Sequence, residues 1–162
     1  ILAEYERSMK TPRWHARVLW LGYERSGDGY AWNLLPALYH SSEPLETYTC
    51  VPLALQYYHR RGENVFHVVG AGAVYYYNRD AEERTCREMW LLGTLYNHVE
   101  KPARDLARDY RSSGSLWGLL WEYETESLNG VETWNQTSAL FRLYRRVNDG
   151  GEVHHRILGI SL

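Results

Sequence analysis

Along this chain, short apolar runs end in a tyrosine, a polar residue and a turn, and the phrase keeps returning. It reads ILAEYERS at Ile1–Ser8 and LWLGYERS at Leu19–Ser26, then LPALYHSS, ALQYYHRR, AVYYYNRD, LGTLYNHV, LLWEYETE and LFRLYRRV. The anchoring residues are Tyr5, Tyr23, Tyr39, Tyr58, Tyr77, Tyr96, Tyr123 and Tyr144, spaced by 18, 16, 19, 19, 19, 27 and 21 residues. A period near 19 with one insertion of roughly eight residues marks a tandem repeat.

Polar breakers separate the phrases: Ser26–Gly29, Ser41–Pro44, Arg61–Asn64, Asp80–Glu83, Ser127–Gly130 and Asn148–Gly151. Their Asp-Gly and Asn-Gly pairs supply the positive φ that tight hairpin turns require. Between them, runs of 12 to 15 residues such as Tyr48–Arg60, Val65–Arg79 and Arg84–His98 are rich in Val, Tyr, Trp and Thr, which suit a pleated surface. Helical hairpins do not fit a unit of ~19 residues, and Gly70, Gly72 and Gly93 inside helices would cost about 1 kcal/mol each. Within Val68–Val74, Gly70 and Gly72 read instead as strand interior where another layer comes close. The prediction is an all-β antiparallel meander of about eight long strands, one per repeat, forming a single β-repeat domain over 1–162. One short helix or ordered loop is expected near 101–112, where Pro102 occupies a helix-start position and Leu106 and Tyr110 stand at i, i+4.

Read with a period of two, both faces of the long strands are apolar in mid-strand and polar toward the turns. A sheet with one wet face alternates more cleanly. The pattern therefore asks for a covering layer, a closed barrel or burial against copies of the same chain. Eight strands with tyrosines near their ends also suit a small transmembrane barrel, but Gln56 and Arg142 fall in mid-strand, where a lipid-facing Arg costs roughly 2–4 kcal/mol.

Composition sharpens this picture in one respect. The chain has 14 Tyr and 7 Trp against 2 Phe, and rings with a polar tip favour half-wet faces and interfaces. Net charge is −2 with the two signs interspersed, so nothing favours nucleic acid. Cys50 and Cys86 are too few for a disulfide framework and lack metal or redox spacing, so two free thiols are expected. No run approaches 18 apolar residues, and with no initiator Met or signal peptide the chain reads as an excerpt or processed part of a longer protein.

Candidate chemistry is sparse. Of the histidines, His40 and His59 follow anchoring tyrosines and so belong to the repeat, while the adjacent His154 and His155 point to opposite faces of a strand. No metal site is assigned and no cofactor is implied. Glu122, Glu124 and Glu126 share one face at a spacing near that of glycosidase carboxylates, yet a Glu row leading into a turn reads first as a solvated or guarded edge. There is no GxSxG, P-loop or GxGxxG context, and the chain is read as a non-enzyme. Asn135-Gln136-Thr137 is a glycosylation sequon. Tyrosine clusters at Tyr57–Tyr58 and Tyr75–Tyr77 pack across strands in the plainer reading and stack on sugars in the sharper one.

The tyrosine, polar residue and turn recurring near 20 residues resemble in style the YD repeats of large bacterial shell proteins. Asp follows none of the tyrosines and the Gly-Arg of that motif is missing, so no residue role is carried over. The expected function is a structural, self-assembling β-sheet scaffold of a secreted or cell-envelope protein of bacterial type. It would act by edge-strand pairing and aromatic face burial, with copies of itself or a larger envelope assembly as partners. The expected edges are Ile1, Leu2, Ile157, Leu158, Ile160 and Leu162. The alternatives are an eight-stranded barrel, in an outer membrane or soluble around a small ligand, and a carbohydrate-binding module.

Overall fold

The computed structural model describes residues 3–8, 13–18, 20–34, 37–103, 107–158 and 160–161. Backbone contacts gather into two units, Ile1–Gly72 and Ala73–Leu162, taken here one at a time.

The first unit holds β1 (Ala3–Ser8), β2 (Arg13–Val18), β3 (Leu21–Ser26), β4 (Gly29–Leu34), β5 (Leu38–Ser42), β6 (Glu46–Val51), β7 (Gln56–Arg61) and β8 (Asn64–Val69). Each pairs antiparallel with the next. The second unit holds β9 (Tyr75–Asp80), β10 (Thr85–Trp90), β11 (Tyr96–Pro102), β12 (Arg108–Ser115), β13 (Trp121–Leu128), β14 (Val131–Ala139), β15 (Tyr144–Asp149), β16 (Glu152–Ile157) and β17 (Ile160–Ser161). These also pair antiparallel in chain order. The fold is the expected all-β antiparallel meander.

The strands are twice as many and half as long as the periodicity suggests. Each run read as one long strand contains an apolar turn at its centre. Tyr48–Arg60 is β6, a 3-10 turn at Pro52–Ala54 and β7, while Val65–Arg79 is β8, a turn at Gly70–Gly72 and β9. The eight tyrosines fall one on each odd-numbered strand from β1 to β15, so a period near 19 spans two strands and two turns. Gly70 and Gly72 are turn residues with φ of 60 and 85°, not strand interior, and Gly93 is a turn residue with φ of 82°. The described residues of the segment near 101–112 hold no helix: Lys101 and Pro102 end β11, Arg108 opens β12, and Pro102 pairs with Asp109. Cross-strand pairing holds these residues extended, which outweighs the i, i+4 signal; Leu106 lies outside the described residues.

Antiparallel chain reversals alternate between the two rims of a meander, and here they alternate in chemistry as well. Reversals from an odd to an even strand are mostly polar: Gly27-Asp28, Gly62-Glu63, 81–84, Asn129-Gly130 and Gly150-Gly151. Those from even to odd are apolar: Pro52–Leu55, 91–95, 116–120 and 140–143. Among the described residues no hydrophobic side chain is buried, and the residues most enclosed are Ser138, Gln136, Asn135 and Ser115. No pairing among them joins β1 to β8 or β9 to β17, so the closure a barrel needs is missing. No helix among them is long and apolar enough to cross a membrane.

Candidate functional site: an aromatic ladder, a polar strip and an apolar rim

In the first unit, register decides which rings meet. Tyr39 opposes Cys50, which opposes Tyr57, which opposes Val68, so these positions share a face with Tyr48, His59 and Phe66. On that face Tyr39–Tyr48, Tyr48–Tyr57 and Tyr57–Phe66 lie 5.4, 5.2 and 5.7 Å apart, all edge to face. This geometry suits the ring quadrupoles and contributes about 0.5–1.5 kcal/mol per pair beyond area burial. Rings packed edge to face in this way form a cross-strand ladder. The reverse face carries Tyr23, Trp32, His40, Thr49, Tyr58 and His67 in register. There Trp32–His40 and Tyr58–His67 stand 5.8 and 5.4 Å apart, and His40 Nδ1 meets Thr49 Oγ1 at 2.8 Å. Burial lowers the His67 pKa below its ordinary value.

The anchoring tyrosines therefore do not all share one face. In the first unit Tyr39 lies on the face opposite to that of Tyr23 and Tyr58. In the second unit Tyr77, Tyr96, Tyr123 and Tyr144 lie together on one face. Tyr75 joins them and packs on Trp90 at 4.6 Å. Burial, and then the Glu88 carboxylate, push its pKa up to about 12. Cys86 lies beside Tyr77 and Cys50 beside Tyr48; both thiols are free, and burial pushes that of Cys86 up.

The opposite face of the second unit carries a polar strip. Glu124 is in register with Ser112 on one side and Gln136 on the other, and Glu122 with Gly114 and Ser138. Tyr110 O–H donates to Glu124 Oε1 at 2.5 Å, Gln136 Nε2 donates to Glu124 Oε2 at 2.9 Å, and Arg145 Nε donates to Gln136 Oε1 at 2.8 Å. One hydrogen-bonded chain thus crosses β12 to β15. Burial, then the bond to Glu124, raises the Tyr110 pKa well above the ordinary phenol value. Glu122, 16% exposed at its side chain, takes Arg142 at 3.1 Å, and Glu126 takes Arg108 at 3.4 Å. The three carboxylates do share a face, and each is engaged by a cross-strand partner, which is the arrangement of a structural strip.

The remaining singled-out residues are dispersed. His59 meets Glu46 at 2.6 Å; His155 meets the Tyr144 hydroxyl at 3.2 Å, and His154 lies on the other face. Among the described residues no three His, Cys, Asp or Glu side chains converge as a metal site would require. Asn135 is 7% exposed and its Nδ2 donates to Glu132, whose carboxyl is held below its ordinary range by the bonds from Asn135 and Tyr123. β17 pairs with Arg156 and Ile157 of β16. Ile157, Leu158 and Ile160 are 45, 68 and 67% exposed, while Ile1, Leu2 and Leu162 lie outside the described residues.

Sequence reasoning missed the apolar rim. In the second unit its loops are Leu-Leu-Gly-Thr-Leu at 91–95, Leu-Trp-Gly-Leu-Leu at 116–120, Leu-Phe-Arg-Leu at 140–143, and Leu158. Each loop hydrogen-bonds to the one before it. Leu116 N donates to Thr94 O at 2.9 Å, Leu140 N to Leu120 O at 2.8 Å and Leu158 N to Leu143 O at 2.7 Å. The Trp117 indole adds a bond to Leu92 O at 2.8 Å. Leu92, Trp117, Phe141 and Leu158 adopt φ of 55, 54, 58 and 51°, a region that costs an L-residue roughly 1–2 kcal/mol and that Gly or Asn fills more easily. Their side chains nonetheless stand 58, 61, 65 and 68% exposed, so burial within the chain does not offset that cost. The sequence signal was present as apolar pairs around Gly93 and Gly118, at the same place in successive repeats.

Compared with known families, curated proteins and solved structures, the chain matches no family model, no curated sequence and no solved structure.

Proposed function

We propose that this chain is a structural β-sheet scaffold element that works by associating with copies of itself or with a larger assembly of a secreted or cell-envelope protein. The observation that carries the reading is that none of its described hydrophobic side chains is buried. The chain exposes 11516 Å². A compact 19.0 kDa monomer exposes about 8,400 Å², and even two separate bodies of half that mass would expose only about 10,100 Å². The surplus is of the size that interfaces remove from water. Edge-strand pairing and burial of the half-exposed aromatic faces are the means of association in this reading.

The test is sedimentation of the purified chain without detergent, with negative-stain microscopy of the same sample. Filaments or ordered particles are expected. A monodisperse 19.0 kDa monomer at every concentration would overturn the scaffold reading.

A further inference from the structure

We propose that two copies of this chain associate through the apolar loop rim of the second unit, rim against rim, a contact separate from the strand edges. This inference rests on the self-association reading and names the surface responsible.

Three observations select the rim. The first is conformational. Leu92, Phe141 and Leu158 hold left-handed backbone that Gly or Asn would adopt at lower cost, and their exposed side chains gain little burial within the chain in return; Trp117 holds it too, with its indole bonded to Leu92 O. A large apolar side chain kept in such a position is offset by a contact outside the unit. The second is that the loops bond to one another in sequence, so most of their N–H groups already have partners and what stands out from the rim is chiefly apolar side chain.

The third observation selects a second copy as the occupant. Across 91–95, 116–120 and 140–143 the one charged residue is Arg142, which already faces Glu122 at 3.1 Å. A rim with almost no net charge meets its own image without like-charge repulsion, as a two-fold contact requires. The area is also sufficient. The rim residues, mostly Leu with Trp117 and Phe141, are 36 to 68% exposed, and at the lower end of the roughly 150–250 Å² of a large side chain each copy offers at most on the order of 1,000 Å². A symmetric pair thus buries up to about 2,000 Å², within the range of specific interfaces. Among its described residues the opposite rim has Glu82, Glu83 and Arg84 at 82–84 and Gly-containing tips at 129–130 and 150–151 in place of leucines.

The experiment compares the full chain with a Leu92→Asn/Phe141→Asn/Leu158→Asn triple variant by sedimentation without detergent. Asn tolerates the left-handed region, so the variant keeps the loop backbone while losing the apolar side chains. The wild type is expected to self-associate and the variant to need at least 100-fold higher concentration. An Ile160→Pro variant, which disturbs only the β17 edge, is expected to associate like the wild type. If the triple variant associates within threefold of the wild type while Ile160→Pro dissociates, the rim inference falls and the scaffold reading stands. A wild type that remains monomeric sinks both, and one that remains monomeric yet floats with phosphatidylcholine vesicles assigns the rim to lipid and overturns the second-copy proposal. Amide hydrogen exchange of the wild type, dilute against concentrated, reads the same contact without mutation. Protection gained at 91–95, 116–120 and 140–143 supports it, and protection gained only at β16 and β17 refutes it.

Discussion

Replacing Tyr110 by Phe removes one oxygen atom and tests whether the polar strip holds the second unit together. The hydroxyl donates to Glu124 Oε1 at 2.5 Å, and Glu124 keeps one other bond, from Gln136 Nε2 at 2.9 Å. A hydrogen bond to a charged group is worth about 1.5–3 kcal/mol, and the half-buried setting places this one at the lower end, about 1.5 kcal/mol. For a chain of this length that corresponds to a fall in Tm of roughly 3–6 °C. Urea melts of the wild type, Tyr110→Phe, Glu124→Gln and the double variant measure both the loss and the coupling, which is expected to reach about 1 kcal/mol because the two groups touch. Spectrophotometric titration gives a second reading: the variant should lack a phenol that ionises well above the ordinary range. A Tyr110→Phe chain within 0.5 kcal/mol of the wild type (roughly the scatter of ordinary surface substitutions), with no coupling to Glu124→Gln, would show that the strip is decoration.

Other outcomes follow from the same geometry. Gly114→Ala should cost about 1–3 kcal/mol in a denaturant melt, because its Cβ would stand 2.8 Å from the Trp121 carbonyl oxygen and 3.3 Å from Gly118 Cα; a neutral result would mean that β12 and the 116–120 loop are further apart. Burial holds the His67 pKa below 6.5, so below pH 6.5 the unfolded chain binds the proton that the folded chain resists. The His67 contribution is therefore full above pH 6.5 and lost as pH falls through the depressed folded value; urea melts across that range should show a pH slope that His67→Gln reduces, and an unchanged slope argues against the assignment. Tyr75 has the opposite window: with its pKa at about 12 against 10.0 in the unfolded chain, its contribution is lost as pH rises from 10 toward 12, and Tyr75→Phe should delete one late-ionising phenol from the absorbance titration.

How the rim was missed bears on reading such sequences. Turns are found by their polarity, and the Gly27-Asp28, Gly62-Glu63 and Asn129-Gly130 turns announced themselves in that way. Leu-Phe-Arg-Leu at 140–143 and Leu-Trp-Gly-Leu-Leu at 116–120 look like strand core to the same rule. They turn because each loop finds backbone acceptors in the loop before it, such as Leu120 O for Leu140 N at 2.8 Å and Leu119 O for Phe141 N at 2.6 Å. Those partners lie about twenty residues upstream, beyond any local window. The Glu122, Glu124 and Glu126 row was legible as one face from its period of two. Its partners were not, since Tyr110, Gln136 and Arg142 arrive from other strands and a loop.

What the sequence by itself determined is the class and the beat: an all-β chain with a tyrosine recurring about every 19 residues and polar reversals between the repeats. Those properties are local, set by residue preferences for pleated backbone and by the turn chemistry of Gly, Asn and Asp. Only the tertiary structure decided that each repeat folds back on itself once more, that the tyrosines of the first unit divide between two faces, and that apolar residues line one rim. These depend on register and on loop-to-loop hydrogen bonds across neighbouring repeats, where a shift of one residue exchanges the faces and no local preference records the partner.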